Sequence, residues 1–212
     1  MEVQIGQEIY NLLSEKAIFR IKDSTLIIAD LHLGKAQHFR KNGISIPPIS
    51  AQKDYEILKR LILKYNPLRI ILLGDLFHSS HNVEWTIFCD FVNAFKHIEF
   101  VLILGNHDIL EIHHYKSVCL TLIENTLEEG DLILSHYPLQ NFPSDKINIA
   151  GHIHPGIALY GKGKQRLQLP CFYFYKNQFI LPAFGSLTGL QLIGRTKETS
   201  VYVIAENKVI EI

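Results

Sequence analysis

The chain has 212 residues, 47% of them apolar and 20% charged, and its 21 basic and 21 acidic side chains give a formal net charge of zero. That length suits one domain, residues 1–212, with a sizeable core, and the composition excludes a disordered or low-complexity chain. Balanced charge also excludes the broad positive field of strongly basic nucleic-acid binders, so any polyanionic partner has to be held locally.

In chain order, "KAIFRIKDSTLIIAD" reads as a hairpin of two β-prone runs around a turn at Asp23-Ser24, with the second run ending at Asp30. "SAQKDYEILKRLILKY" predicts a helix, with Tyr55, Leu58, Leu61, Ile62 and Tyr65 on one stripe, Ser50 as N-cap and Pro67 beyond its end. "LRIILLGD" is a buried strand. "NVEWTIFCDFVNAFKHI" repeats the helical spacing through Trp85, Phe88, Phe91, Val92 and Phe95, and "EFVLILGNHD" is the next strand. His113 and His114 continue a helix after it, on a solvated face. Further on, "DLILSHYP" and "INIAGHIHP" are β-prone runs, while "RLQLPCFYFYKNQFILPAF" and "SVYVIAENKVIEI" alternate like hairpins with turns at Lys176-Asn177 and Glu206-Asn207. The aromatics Phe172, Tyr173, Phe174 and Tyr175 read as strand core before they read as a base-stacking surface.

The opening "MEVQIGQEIYNLLSEK" lacks the uninterrupted apolar core of a signal peptide, and no run approaches the roughly 20 apolar residues of a membrane span. A cytoplasmic protein without membrane partners is expected. Cys89, Cys119 and Cys171 are odd in number and widely spaced, without a C-x-x-C pair, and so read as reduced thiols.

Strand, helix, strand, helix, strand implies a sheet with crossover helices, and ligands of such sheets gather beyond the carboxyl ends of the strands. The polar clusters fall at those ends. "IIADLH" closes with Asp30 and His32, "ILLGD" with Asp75, "LILGNHD" with Asn106, His107 and Asp108, "LILSH" with His136, and "INIAGHIH" with His152 and His154. Any one of these alone reads as a turn carboxylate or a core histidine; five apolar runs ending in acids, amides and imidazoles read as a site. In D-x-H and H-x-H an extended chain would send both side chains to one face.

The ordered series D-x-H, G-D, G-N-H-D, a histidine after a strand, and G-H-x-H resembles the calcineurin-like metallophosphoesterases. That resemblance implies a four-layer α/β/β/α sandwich with mixed sheets and a metal site at the carboxyl ends of the strands. It implies two divalent ions bridged by Asp75, with Asp30, His32 and His154 completing one site and Asn106, His136 and His152 the other. Two metals about 3.5–4 Å apart can activate a nucleophile and neutralise charge on phosphoryl oxygens. Imidazole and carboxylate ligands without thiolate suit Mn²⁺ first, with Fe or Zn²⁺ as alternatives. By the same resemblance His107 is the catalytic ring that donates a proton to the leaving oxygen or stabilises the transition state, and Asp108 orients it through a hydrogen bond.

Beyond these motifs, "DLHLGKAQHFRKNGISIP" and "LPCFYFYKNQFILPAFGSLTGL" resemble the bacterial DNA-ligase-associated metallophosphoesterases, described as DNA damage response endonucleases. The implication is a manganese-dependent phosphodiesterase or DNA endonuclease of DNA repair, associated with a DNA ligase, a helicase-like protein and an exonuclease. A homo-oligomer is compatible with it. One departure stands out: many superfamily members carry an acid three places after the bridging aspartate, where "GDLFH" has His78, a residue that either supports the metals or touches substrate. Lys35 and Arg40, with His38 and Lys41, follow the first ligand motif and are candidate phosphate contacts; Lys162, Lys164 and Arg166 read as an exposed basic turn. Two other functions fit the residues: a small-molecule nucleotide phosphodiesterase or pyrophosphohydrolase, which zero net charge favours, and a non-catalytic metal-binding scaffold, which the full ligand set disfavours.

Overall fold

A computed structural model describes residues 1–35, 49–77 and 83–212; side chains are described for the same residues except 49–51 and 164. Arg40 and His78, like His38 and Lys41, lie outside the described residues.

The first sheet has seven strands in sequence order: β1 (Glu2–Ile5), β2 (Glu8–Leu13), β3 (Ala17–Arg20), β4 (Thr25–Ala29), β5 (Arg69–Leu73), β6 (Glu99–Ile103) and β7 (Leu120–Ile123). Strands β1 to β4 pair antiparallel through short turns, whereas β4 to β7 are parallel. The parallel half needs crossovers, which α1 (Ile49–Tyr65) and α2 (Val83–Ala94) supply; the short α3 (Ile112–Lys116) precedes β7. The expected stripes are on the buried faces: Leu58, Leu61 and Ile62 of α1, with Trp85, Phe88 and Val92 of α2, join Ile28, Leu72 and Leu102 in one core cluster, with Tyr55, Tyr65, Phe91 and Phe95 packed on its margin. Helix α1 spans Ile49–Tyr65, so the position expected for its N-cap, Ser50, falls within the described helix, a shift within the fraying of helix ends.

The second sheet holds β8 (Thr126–Glu129), β9 (Leu132–Ser135), β10 (Ile147–Ala150), β11 (Pro155–Tyr160), β12 (Arg166–Tyr175), β13 (Gln178–Ile180) and β14 (Gln191–Leu192), in the order β14-β11-β12-β13-β10-β9-β8. Strand β15 (Ser200–Ala205) pairs with β12 and with β16 (Lys208–Glu211). Both predicted two-residue turns are present, Lys176-Asn177 and Glu206-Asn207 having all four φ angles positive, as tight hairpin turns require. Phe172 and Phe179 face Ile27, Ile71 and Ile103 in a second core cluster that joins the two sheets. Phe172 is therefore core, as its alternation predicts. The β1–β2 hairpin, β7, β8 and β11 go beyond the elements read from periodicity.

The outcome is a mixed α/β fold with two mixed sheets packed face to face. The parallel strands β4, β5 and β6 of one sheet and β9 and β10 of the other end at the same edge of the sandwich, and all five polar clusters follow those ends. No described helix is long and apolar enough to cross a membrane.

Candidate metal centre

Immediately beyond these strands the backbone leaves the extended region. Asp30 (φ 54°), His32 (φ 49°), Asp75 (φ 51°), His152 (φ 66°) and His154 (φ 51°) are all left-handed. The expectation that an extended D-x-H and H-x-H would align their side chains is thus corrected: convergence comes from left-handed residues in a tight loop. Such a residue costs on the order of 1–3 kcal/mol, so five together persist only where the surroundings over-determine them. Backbone bonds between strand ends do this. The Asp30 amide donates to the Gly74 carbonyl (3.3 Å), His32 to Asp75 (2.8 Å), Leu33 to Leu76 (2.8 Å) and Gly151 to His136 (3.1 Å).

Two groups of side chains meet here. The atoms that Asp30, His32 and His154 could offer to a metal lie within 4.8 Å of one another, as do those of Asp75, His136 and His152. Asp30, His32, Asp75 and His136 are buried, whereas Asn106 is exposed. Asn106 joins the second group: His136 Nε2 is 3.1 Å from His152 Nδ1, 3.3 Å from Asn106 Oδ1 and 3.5 Å from Asp75 Oδ1. The other oxygen of Asp75, Oδ2, is 3.7 Å from His32 Nε2 of the first group. One carboxylate therefore faces both groups with different oxygens.

This donor set fits divalent cations. Two ligands about 2.1–2.2 Å from one ion and at right angles stand about 3.0–3.1 Å apart, close to the spacings around His136. In the first group Asp30 Oδ1 and His154 Nε2, 3.3 Å apart, are buried without a hydrogen-bond partner among the described residues. A buried carboxylate oxygen left so would be costly, and a cation between the two atoms relieves it. The His136 Nδ1–H donates to the Leu73 carbonyl (3.0 Å), which leaves Nε2 with its lone pair toward the group. Burial, and then the neighbouring His136 ring, hold His152 below the usual imidazole range against the pull of Asp30 and Asp75, which favours the neutral ring, the form that ligates.

The "GNHD" loop is fastened to the same strand ends. The His107 amide donates to Asp75 Oδ1 (2.9 Å), and the His107 ring lies edge-on to His32 with centroids 5.5 Å apart. Asp108 accepts the amides of Leu76 (2.9 Å) and Phe77 (3.2 Å) on Oδ1 and that of Gly105 (2.8 Å) on Oδ2. Burial pushes its pKa up to about 6, with the three amides opposing. Asp108 thus braces the Asp75 loop against the loop it shares with His107. Gly105 allows this approach, since a Cβ there would sit 2.4 Å from Asp75 Oδ1. Burial lowers the pKa of Lys35, with the charges of Asp75 and Asp30 opposing.

Some contributors were not singled out from sequence. Tyr137 donates to Asn106 Oδ1 (3.0 Å). Behind Asp30, the Phe184 amide donates to the Ala29 carbonyl (2.8 Å) and Gly185 to the Asp30 carbonyl (3.1 Å). Ser186 next to them is tied by its amide and hydroxyl to the buried Asp54 of α1 (3.1–3.2 Å). Tyr137 was legible as an aromatic beside a candidate ligand; Asp54 and Ser186, 132 positions apart, carry no common signal.

The sequence model of the calcineurin-like phosphoesterases matches residues 24–168, a stretch that runs from before Asp30 to beyond His154. The chain belongs to the calcineurin-like phosphoesterase family. This phosphoesterase is therefore a hydrolase of phosphate esters, of a family with dinuclear metal sites. Among solved structures it is similar to the Pseudomonas putida nuclease MPE, with 26% identity, a TM-score of 0.85 and coverage of 100% of this chain and 99% of that one. The phosphoesterase YfcE of E. coli is a more distant match, at 13% identity and a TM-score of 0.48 over 89% of this chain and 97% of that one. No curated protein matches in sequence.

Proposed function

We propose that this phosphoesterase, residues 1–212 acting as one domain, is a dinuclear phosphodiesterase that cleaves DNA. The observation that carries the reading is Asp75, whose two oxygens face two separate groups of donors, 3.5 Å from His136 and 3.7 Å from His32. Asp30, His32 and His154 would hold one ion, Asn106, His136 and His152 the other, and Asp75 both. Divalent ions, Mn²⁺ first given a set of imidazole and carboxylate donors without thiolate, supply Lewis-acid polarisation of the phosphoryl oxygens and a more acidic water. The chain's own residues do the rest. His107, its backbone tied to Asp75 and its ring beside His32, donates a proton to the leaving oxygen. Asp108 holds that loop, and Lys35 offers a positive charge to a neighbouring phosphate.

DNA as substrate is supported by the likeness to a nuclease over the full length of both chains. On this reading the protein works in DNA repair in the cytoplasm, alongside a ligase, a helicase and an exonuclease. Zero net charge favours the second reading, a small nucleotide substrate. Protein reconstituted with Mn²⁺ is assayed on bis(p-nitrophenyl) phosphate, single-stranded DNA, duplex DNA and cyclic nucleotides, with Asp75→Asn as control for contaminants. DNA cleavage that disappears in Asp75→Asn is expected, together with loss of both ions from that variant. Efficient nucleotide turnover without DNA cleavage transfers the assignment to the second reading.

A further inference from the structure

Of the seven candidate ligands, Asn106 alone is exposed, while Asp30, His32, Asp75 and His136 are buried and His152 and His154 half-buried. An exposed amide on a loop can rotate, and only its oxygen can ligate, so a turn of the side chain would present an NH₂ group to the ion. Something has to hold it. The Tyr137 hydroxyl donates to Asn106 Oδ1 at 3.0 Å. The Tyr137 ring meanwhile lies against the other two members of the same group, with centroids 4.6 Å from His136 and 4.5 Å from His152. One side chain thus touches every member of the second donor group except the bridge.

We propose that Tyr137 is a positioning residue for the second ion: its hydroxyl fixes the Asn106 amide with the oxygen toward His136 and His152, and its ring covers that half of the centre. The inference rests on the dinuclear reading above and adds to it a residue that ligates nothing itself. An amide oxygen has two lone pairs, so the tyrosine bond and a cation can share Oδ1. Loss of an outer partner of a metal ligand typically weakens binding by about 10–100-fold. Only the ion served by Asn106 should feel it.

The test uses the full chain stripped of metal and titrated with Mn²⁺ in a calorimeter, comparing wild type, Tyr137→Phe, Asn106→Ala and the double variant. Tyr137→Phe keeps the ring contacts and removes only the hydroxyl, so the denaturation midpoint should hold. The expected result is one of two Mn²⁺ sites weakened by roughly 10-fold or more, the other unchanged, and no further loss when Phe is added to Asn106→Ala. That dependence is a readout that loosened packing would not give. Wild-type affinity at both sites in Tyr137→Phe, with one site weakened in Asn106→Ala, overturns the role of Tyr137 and leaves the dinuclear reading standing. Two intact sites in Asn106→Ala overturn the ligand assignment itself, and the tyrosine's role with it.

Discussion

Gly105→Ala probes how tightly the centre is built. Gly105 lies outside the left-handed region, so alanine meets no backbone penalty there; what it meets is Asp75. A new Cβ would stand 2.4 Å from Asp75 Oδ1, 2.5 Å from the Asp75 backbone nitrogen and 3.0 Å from His136 Cε1, where ordinary contact begins at 3.4 Å. Relief therefore requires about 1 Å of movement, and because one contact is backbone, rotating a side chain cannot provide it. Metal–ligand distances tolerate about 0.2 Å, so the shift exceeds the tolerance several-fold. A 1 Å misplacement commonly costs about 10²-fold in rate. Overpacking costs about 1–3 kcal/mol and the stiffer unfolded chain returns about 0.4–1, so a net loss of at most roughly 2.5 kcal/mol is expected. Activity should fall far more than stability. Mn²⁺ titration, turnover of bis(p-nitrophenyl) phosphate and urea denaturation measure the three effects, with Gly189→Ala, where a Cβ meets nothing within 4 Å among the described residues, as control. A Gly105→Ala protein with wild-type metal affinity and turnover would refute the argument that Asp75 has no room to move.

Three further outcomes follow from the same geometry. His107→Ala should keep both ions while turnover drops by roughly 10²–10⁴-fold, less for substrates with good leaving groups; an equal loss for good and poor leaving groups would make His107 a charge stabiliser instead. Asp54→Ala removes the acceptor of the Ser186 amide and hydroxyl, and should lower stability by about 1–3 kcal/mol and weaken Mn²⁺ at the Asp30 group; unchanged values would show that the 184–186 loop holds itself. Glu129 is desolvated by burial, but hydrogen bonds from Arg20 (2.7 Å) and Arg69 outweigh this and keep its carboxyl below the usual range. A depressed folded pKa contributes stability that is present above the unfolded value of about 4.3 and lost as pH falls through the folded one. Glu129→Gln should therefore flatten the acid limb of a pH–stability curve; an identical limb in both proteins would place the acid sensitivity elsewhere.

The sequence by itself determined the strand–helix alternation, the buried stripes of α1 and α2 and the two tight hairpins, because hydrophobic period and turn chemistry are local. It also determined the kinds of donor atom at each strand end, and hence the chemistry open to the site. The backbone that delivers them was decided by tertiary structure: an isolated D-x-H prefers extended φ, and only bonds such as His32 to Asp75 and Gly185 to Asp30 hold Asp30 and His32 in the left-handed region. Tertiary structure alone set Asp75 between two groups of donors, Tyr137 over Asn106 and Asp54 behind Ser186. The reason is that each is a relation between residues far apart in the chain, fixed when the β4–β6 and β9–β10 ends meet at one edge of two packed sheets. Strain at one strand end is offset by partners that the neighbouring strand ends of both sheets bring to it.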